Sequence, residues 1–362
     1  RKGGRRGEAG KAKGHTKNSP KTGNGVLPPG MPGCSKVLSL EKRRKRSFVN
    51  GAVFLGRTVA KTVCMCYNIS IVQRKKETDM KKGLVLEGGA MRGLFSAGVM
   101  DVLMERGVAF DGIIGVSAGA AFGCNYKSGQ IGRVLRYNTR FCGDKRYSGM
   151  GSLLKTGNLF NTEFCYNQVP LELDPFDFEA FRSNPAEFYV VCTDVNTGEP
   201  AYHAYTGFED HGFEWIRASA SLPLIAQIVE IDGQKLLDGG IADSIPFGYF
   251  ESIGYDRNVV VLTRPLGYRK EKNRLLPLLR KKYRQYPALV QALEDRHERY
   301  NRELEELAAR EKRGLVFVLR PDRPLPVRKA EKNPEKLREA YDMGRKAAEQ
   351  AFERLKDFLE KG

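Results

Sequence analysis

The sequence predicts an α/β fold with a central, mostly parallel sheet, helices on both faces and a helical C-terminal extension. Three observations predict it. Short apolar runs alternate with helix-length segments from Met80 onward. Several of these runs are apolar throughout, as in a strand buried on both faces. Glycine-rich turns join strand to helix at two places, around 88–93 and 115–119. A chain of 362 residues is long enough to bury a sizeable core.

The elements follow in order. Residues 84–87 read as a strand and 92–106 as a largely apolar, buried helix. Residues 110–116 read as a second strand and 118–126 as a helix. Residues 188–195 form a strand that ends at the hairpin-type turn Asn196-Thr197-Gly198. Residues 214–221 look helical. Residues 225–231 read as a strand, turned at Asp232-Gly233 into 235–237. Residues 258–263 and 315–319 are apolar strands of the parallel-sheet type. Between them, 275–313 is a long charged helical region broken near Pro287, and 334–359 is an amphipathic helix. Both helical regions read as solvated structural helices without identifiable chemistry. No internal repeat is visible.

The formal net charge is +18, which suggests nucleic acid or an anionic membrane. Its distribution argues otherwise. Residues 1–79 hold 19 Lys and Arg against 4 Asp and Glu, and the remaining residues hold 42 against 39. Within that basic segment, residues 1–35 are rich in Gly, Lys, Pro and Ser and cannot bury enough apolar surface to fold, 42–46 form a solid basic run, and 48–73 show no clean period. Residues 1–79 are therefore read as a disordered leader, free to touch an anionic membrane. No nucleic-acid partner is expected, and no run is apolar enough to span a bilayer. Seven cysteines (Cys34, Cys64, Cys66, Cys124, Cys142, Cys165 and Cys192) match no zinc or redox spacing. They read as free thiols in a reducing cytoplasm, with at most peripheral membrane contact.

Three clusters carry chemistry. Gly115-Val116-Ser117-Ala118-Gly119 has the G-x-S-x-G form between a strand and a helix, the context of a nucleophile elbow. Small residues are needed there because the turn is tight, and the helix N-terminus favours developing negative charge. Gly88-Gly89-Ala90-Met91-Arg92-Gly93, after Glu87, fails the dinucleotide and P-loop patterns. It reads better as an oxyanion hole of backbone N–H groups, with Arg92 fixing the loop or attracting an anionic head group. Asp238-Gly239-Gly240 ends a strand in two glycines. The four histidines, His15, His203, His211 and His297, are poorly placed for a Ser–His–Asp triad, so an Asp acting directly as base comes into view.

In this order the three clusters resemble the patatin-like phospholipase family over roughly 81–265, most closely its bacterial, cytosolic members. The stretch Ala218-Ser219-Ala220-Ser221-Leu222-Pro223 adds to the likeness. The resemblance implies a serine acyl-ester hydrolase with a Ser117–Asp238 dyad, acting on a phospholipid or lysophospholipid, with no metal and no cofactor. It divides the chain into the leader 1–79, a catalytic domain over 80–265 and a mostly helical region over 266–362 packed on that domain. Many members carry a third glycine where this chain has Ala90, whose methyl group restricts the backbone. The alternative is a non-catalytic lipid-binding regulator on the same fold. Acyl length, head group and oligomeric state are left open.

Overall fold

The computed structural model describes residues 80–208 and 211–361. The expected disorder of 1–79, together with His15, Cys34, Cys64 and Cys66, lies outside the described residues. The four described cysteines are unpaired.

The apolar runs build one sheet. Its core is parallel: β1 (Lys81–Leu86), β2 (Gly112–Val116), β3 (Glu187–Asp194), β7 (Tyr255–Val261) and β8 (Val316–Leu319). Three short strands join at one side through antiparallel pairs: β4 (Pro200–Ala204) and β6 (Gln234–Asp238) with β3, and β5 (Val229–Ile231) with β6. The order is β5-β6-β3-β2-β1-β7-β8, with β4 paired to β3.

Successive residues of β1 point to opposite faces, and both faces are buried, which explains the unbroken apolar sequence. Leu84 and Leu86 pack on one face with α1 (Gly93–Glu105), α2 (Ala118–Lys127) and α10 (Pro334–Glu360). Val85 packs on the other with α7 (Phe247–Ser252) and α9 (Pro287–Lys312).

The break expected near Pro287 is real. α8 (Leu276–Lys282) ends before it and α9 starts on it, because proline is well suited to a first helical turn. Residues 128–186 hold elements that the sequence did not announce. These are α3 (Arg133–Phe141), α4 (Met150–Thr156), the π-helix Phe164–Leu173 and α5 (Phe178–Ser183). α6 (Glu214–Ser219) completes the set.

The strand expected over 225–231 is shorter than anticipated. Only Val229–Ile231 pairs. Leu224 turns the chain with φ 72°, and Ile225 lines a cavity instead of joining the sheet.

Candidate active site

Ser117 follows the last residue of β2 and precedes α2. Its backbone lies at φ 56° and ψ −119°, a region that residues with a Cβ seldom occupy. Close packing enforces the turn. A Cβ on Gly119 would meet the Leu86 carbonyl oxygen at 2.3 Å, and one on Gly115 would meet the Ala120 nitrogen at 2.5 Å. The Ser117 N–H donates to Ser219 Oγ at 2.8 Å, and that hydroxyl donates to the Val191 carbonyl at 2.6 Å. One side chain from α6 thus ties the turn to β3.

Register brings Asp238 to the same place. β4 occupies one edge of β3 over Tyr189 to Thr193. β2 and β6 must then share the other edge, end to end. The last β2 pair is Val116 with Val191, and the last β6 pair is Cys192 with Asp238. Ser117 and Asp238 therefore meet where one strand stops and the other begins.

Asp238 is 1% exposed. Its Oδ1 accepts from the Gly240 N–H at 2.9 Å, while Oδ2 is buried without a hydrogen-bond partner among the described residues. Burial raises its pKa above the ordinary carboxylate value. The Arg296 charge is the foremost opposing influence, and the nearby Ser117 side chain acts in the same sense.

The glycine-rich loop is anchored through Glu87. This buried carboxylate accepts from Thr263 N at 2.5 Å, Thr263 Oγ1 at 3.0 Å and Tyr300 OH at 2.7 Å. The loop is thereby tied to the end of β7 and to α9. A Cβ on Gly88 would lie 3.0 Å from the Ser117 Cβ, so the loop runs directly beside the serine. Ala90 adopts φ 48°. The methyl group that distinguishes it from glycine therefore sits in a left-handed conformation, at a cost of roughly 1–2 kcal/mol.

Two cavities meet at Ser117, and Ala90 and Leu222 line both. The first holds about 720 Å³ of empty space, part of it open to solvent, and is mainly apolar, with Met91, Phe122, Phe160 and Ile225 in its wall. The second holds about 560 Å³ and is polar. Asp238 and Glu87 line it, as do Arg92, Arg264, Lys270, Arg296 and Lys329. None of the described histidines lines either cavity. His203 stacks on Trp215, His211 faces Asp232, and His297 contacts the Glu294 carbonyl.

Residues 84–251 match the family model of the patatin-like phospholipases. These residues belong to the patatin-like phospholipase family. Residues 286–360 match a second family, a domain of unknown function (DUF6363). The uncharacterized protein YjjU of Escherichia coli is 33% identical over 192 residues, covering 50% of this chain and 52% of YjjU. Lysophospholipase nte1 of Aspergillus fumigatus is 30% identical over 186 residues, covering 48% of this chain but 11% of that protein. The alignments thus span about half of one relative and about a tenth of the other. Among solved structures, VipD from Legionella pneumophila gives a TM-score of 0.39 at 13% identity, covering 76% of this chain and 67% of that one.

The patatin-like segment brings all three sequence clusters together. Gly88 to Gly93, Gly115 to Gly119 and Asp238 to Gly240 converge on the junction of the two cavities. Several features of the site were not read from the sequence, Arg264 among them. Ser219 lies inside the motif stretch before the Asp, but its bond to Ser117 depends on tertiary packing. Lys270, Arg296 and Lys329 come from beyond the patatin-like segment; Arg296 lies in the 275–313 region read as without chemistry, and Lys270 and Lys329 were not singled out. The helices from 275 onward are therefore not merely solvated: α9 supplies Arg296 and Tyr300 to the polar cavity.

Proposed function

We propose that this protein is a serine acyl-ester hydrolase of the phospholipid and lysophospholipid class. Ser117 is the nucleophile, Asp238 the base, and the N–H groups of Gly89 and Ala90 the oxyanion hole. The observation that carries the reading is Ser117 in its left-handed turn between an apolar cavity and a buried carboxylate with one free oxygen. A serine hydroxyl needs a positioned base to attack an ester. No described residue accepts from the N–H groups of Gly89 and Ala90, which leaves them for an oxyanion.

In the first step the Ser117 Oγ–carbonyl bond forms and the Oγ proton passes to Asp238. The tetrahedral intermediate collapses, the ester C–O bond breaks, and the leaving alkoxide takes that proton as an alcohol. Water then attacks the acyl-enzyme and gives its proton to Asp238. Collapse releases the fatty acid, and the proton returns to Ser117 Oγ. The apolar cavity takes the acyl chain.

No described helix is long and apolar enough to cross a membrane. Peripheral contact with lipid belongs to the same proposal. Met150 and Leu154, 64% and 82% exposed, share a face of α4, which leads into Asn158 and Phe160 of the apolar cavity wall.

A fluorophosphonate should add once, at Ser117, as read by intact-protein and peptide mass spectrometry. Ser117→Ala and Asp238→Asn should each lower ester turnover by at least about a thousandfold, the scale of losing a nucleophile or its base. Wild-type turnover by the Ser117→Ala protein would end the proposal. Lipid binding without an adduct and without turnover would leave the non-catalytic regulator.

A further inference from the structure

The polar cavity beside Ser117 has a marked charge imbalance. Five cations line it: Arg92, Arg264, Lys270, Arg296 and Lys329. The carboxylates in the same wall are Glu87 and Asp238. Glu87 is already engaged by Thr263 and Tyr300. None of the five cations forms a salt bridge among the described residues. Arg92 Nε is buried and donates to no described group. Arg92, Arg264, Lys270 and Arg296 are half-buried and Lys329 is exposed. Glu87 and Glu303 offset them only in part, so the cavity keeps an excess of positive charge that a bound anion would relieve. Burial and the Arg296 charge pull Lys270 down to about 7, and the same two causes lower Lys329. An anion between them would favour the charged form of both.

The cavity also disfavours a cationic head group. A quaternary ammonium is held by open aromatic faces. Two rings line this cavity, Tyr268 and Tyr300, and the chain's own cations cover both. The Arg264 guanidinium lies 4.3 Å from the Tyr268 centroid, and Lys270 Nζ lies 3.9 Å from that of Tyr300.

Resting on the reading of Ser117 as the ester nucleophile, we infer that the polar cavity is the head-group site and selects acyl esters bearing a phosphate monoester, uncapped by choline or ethanolamine. Such a phosphate carries about −1.5 to −2 charge at neutral pH and three acceptor oxygens. A diester carries one charge, and its amine would face the five cations. With the ester carbon at Ser117, the acyl chain enters the apolar cavity and the phosphate enters the polar one.

Three octanoyl esters of glycerol test this as monomers: the 3-phosphate, its phosphocholine counterpart and the unphosphorylated ester. The phosphate monoester should have a KM at least about tenfold below that of the phosphocholine ester. In a Lys270→Gln, Lys329→Gln double variant its KM should rise about tenfold more than that of the unphosphorylated ester. Arg264→Gln provides a second, independent variant with the same expected direction. Equal KM values, or preference for the phosphocholine ester, would overturn the head-group assignment and spare the hydrolase. Calorimetric titration of Ser117→Ala protein with octanoylglycerol 3-phosphate separates the two readings. Binding weakened by the lysine substitutions, with no ester hydrolysed by wild type, would sink the hydrolase and leave the phosphate site standing. Inorganic phosphate binding as tightly as the lipid would make this a free-phosphate site and overturn the head-group assignment.

Discussion

Ser117 and Asp238 are each held in a state they would not choose alone. A non-glycine residue at φ 56° costs roughly 1–3 kcal/mol, which its surroundings must offset. Ser219 and the tight packing of Gly119 on β1 do so. Asp238 is buried with one oxygen unpartnered among the described residues, and its pKa is raised by that burial and restrained first by Arg296. The native state therefore holds this proton more tightly than the unfolded chain. The stability the group contributes is present at low pH and lost as pH rises through the raised pKa. With Asp238 as the proposed base, activity runs the other way, because a base must be ionised to accept a proton. Turnover should fall as pH drops through the Asp238 pKa. Removing the Arg296 charge raises that pKa further. Arg296→Gln should thus move the acid limb of the kcat/KM profile for unphosphorylated octanoylglycerol to higher pH. A limb that stays in place, or moves down, would separate Arg296 from the base.

At the scale of elements, the docking of α10 on α1 deserves a direct test of its geometry. A Cβ on Gly98 would meet the Tyr341 carbonyl oxygen at 2.0 Å, and one on Gly344 would meet the Phe95 carbonyl oxygen at 1.9 Å. The helices cross backbone to backbone, and the Tyr341 hydroxyl donates to the buried Asp101 carboxylate at 2.6 Å. Gly98→Ala or Gly344→Ala should each destabilise by about 1–3 kcal/mol, the usual cost of overpacking. In a chain of 362 residues that is a loss of roughly 1–2 °C in melting temperature per kcal/mol. Unchanged melting temperatures would mean that the crossing tolerates separation. The amphipathic period made α10 legible in the sequence, but its partner was not, because the close approach needs one glycine from each of two distant segments. The same distinction runs through the site. The Ser117 turn, the Asp238 strand end and the loop at Gly88 are written in contiguous residues, each with a local physical reason. Ser219 and the cations from Arg264 to Lys329 are gathered by β-register and helix packing, which leave no contiguous pattern. The 128–186 stretch was missed for a different reason: α4 and α5 are only seven and six residues long, too short to show a clear 3.6-residue period, and the π-helix contains Pro170. The amphipathic α3 does carry the period and was legible in principle.

Over the whole molecule, net charge and local field part company. Beyond residue 79, 42 basic side chains face 39 acidic ones, yet five cations are concentrated around one cavity. Apolar groups are similarly unevenly spread. The apolar cavity adjoins the segment carrying exposed Met150 and Leu154, so on the proposed function a lipid surface would rest next to the proposed acyl pocket. These residues lie four apart on α4 and occupy one face. An acyl chain drawn from a bilayer must cross a layer of water unless the protein's rim dips into the lipid. Apolar side chains at that rim reduce the cost of the transfer. Partial burial of both residues in lipid would contribute on the order of 1–2 kcal/mol, or about tenfold in apparent affinity for the surface. Replacing both, Met150→Ser with Leu154→Ser, should therefore lower turnover of a long-chain ester presented in vesicles by about that factor. Turnover of monomeric octanoyl esters should change far less, since neither residue lines a cavity at Ser117. Equal losses on both substrates would mean that the substitutions disturb the acyl pocket and that lipid docks elsewhere.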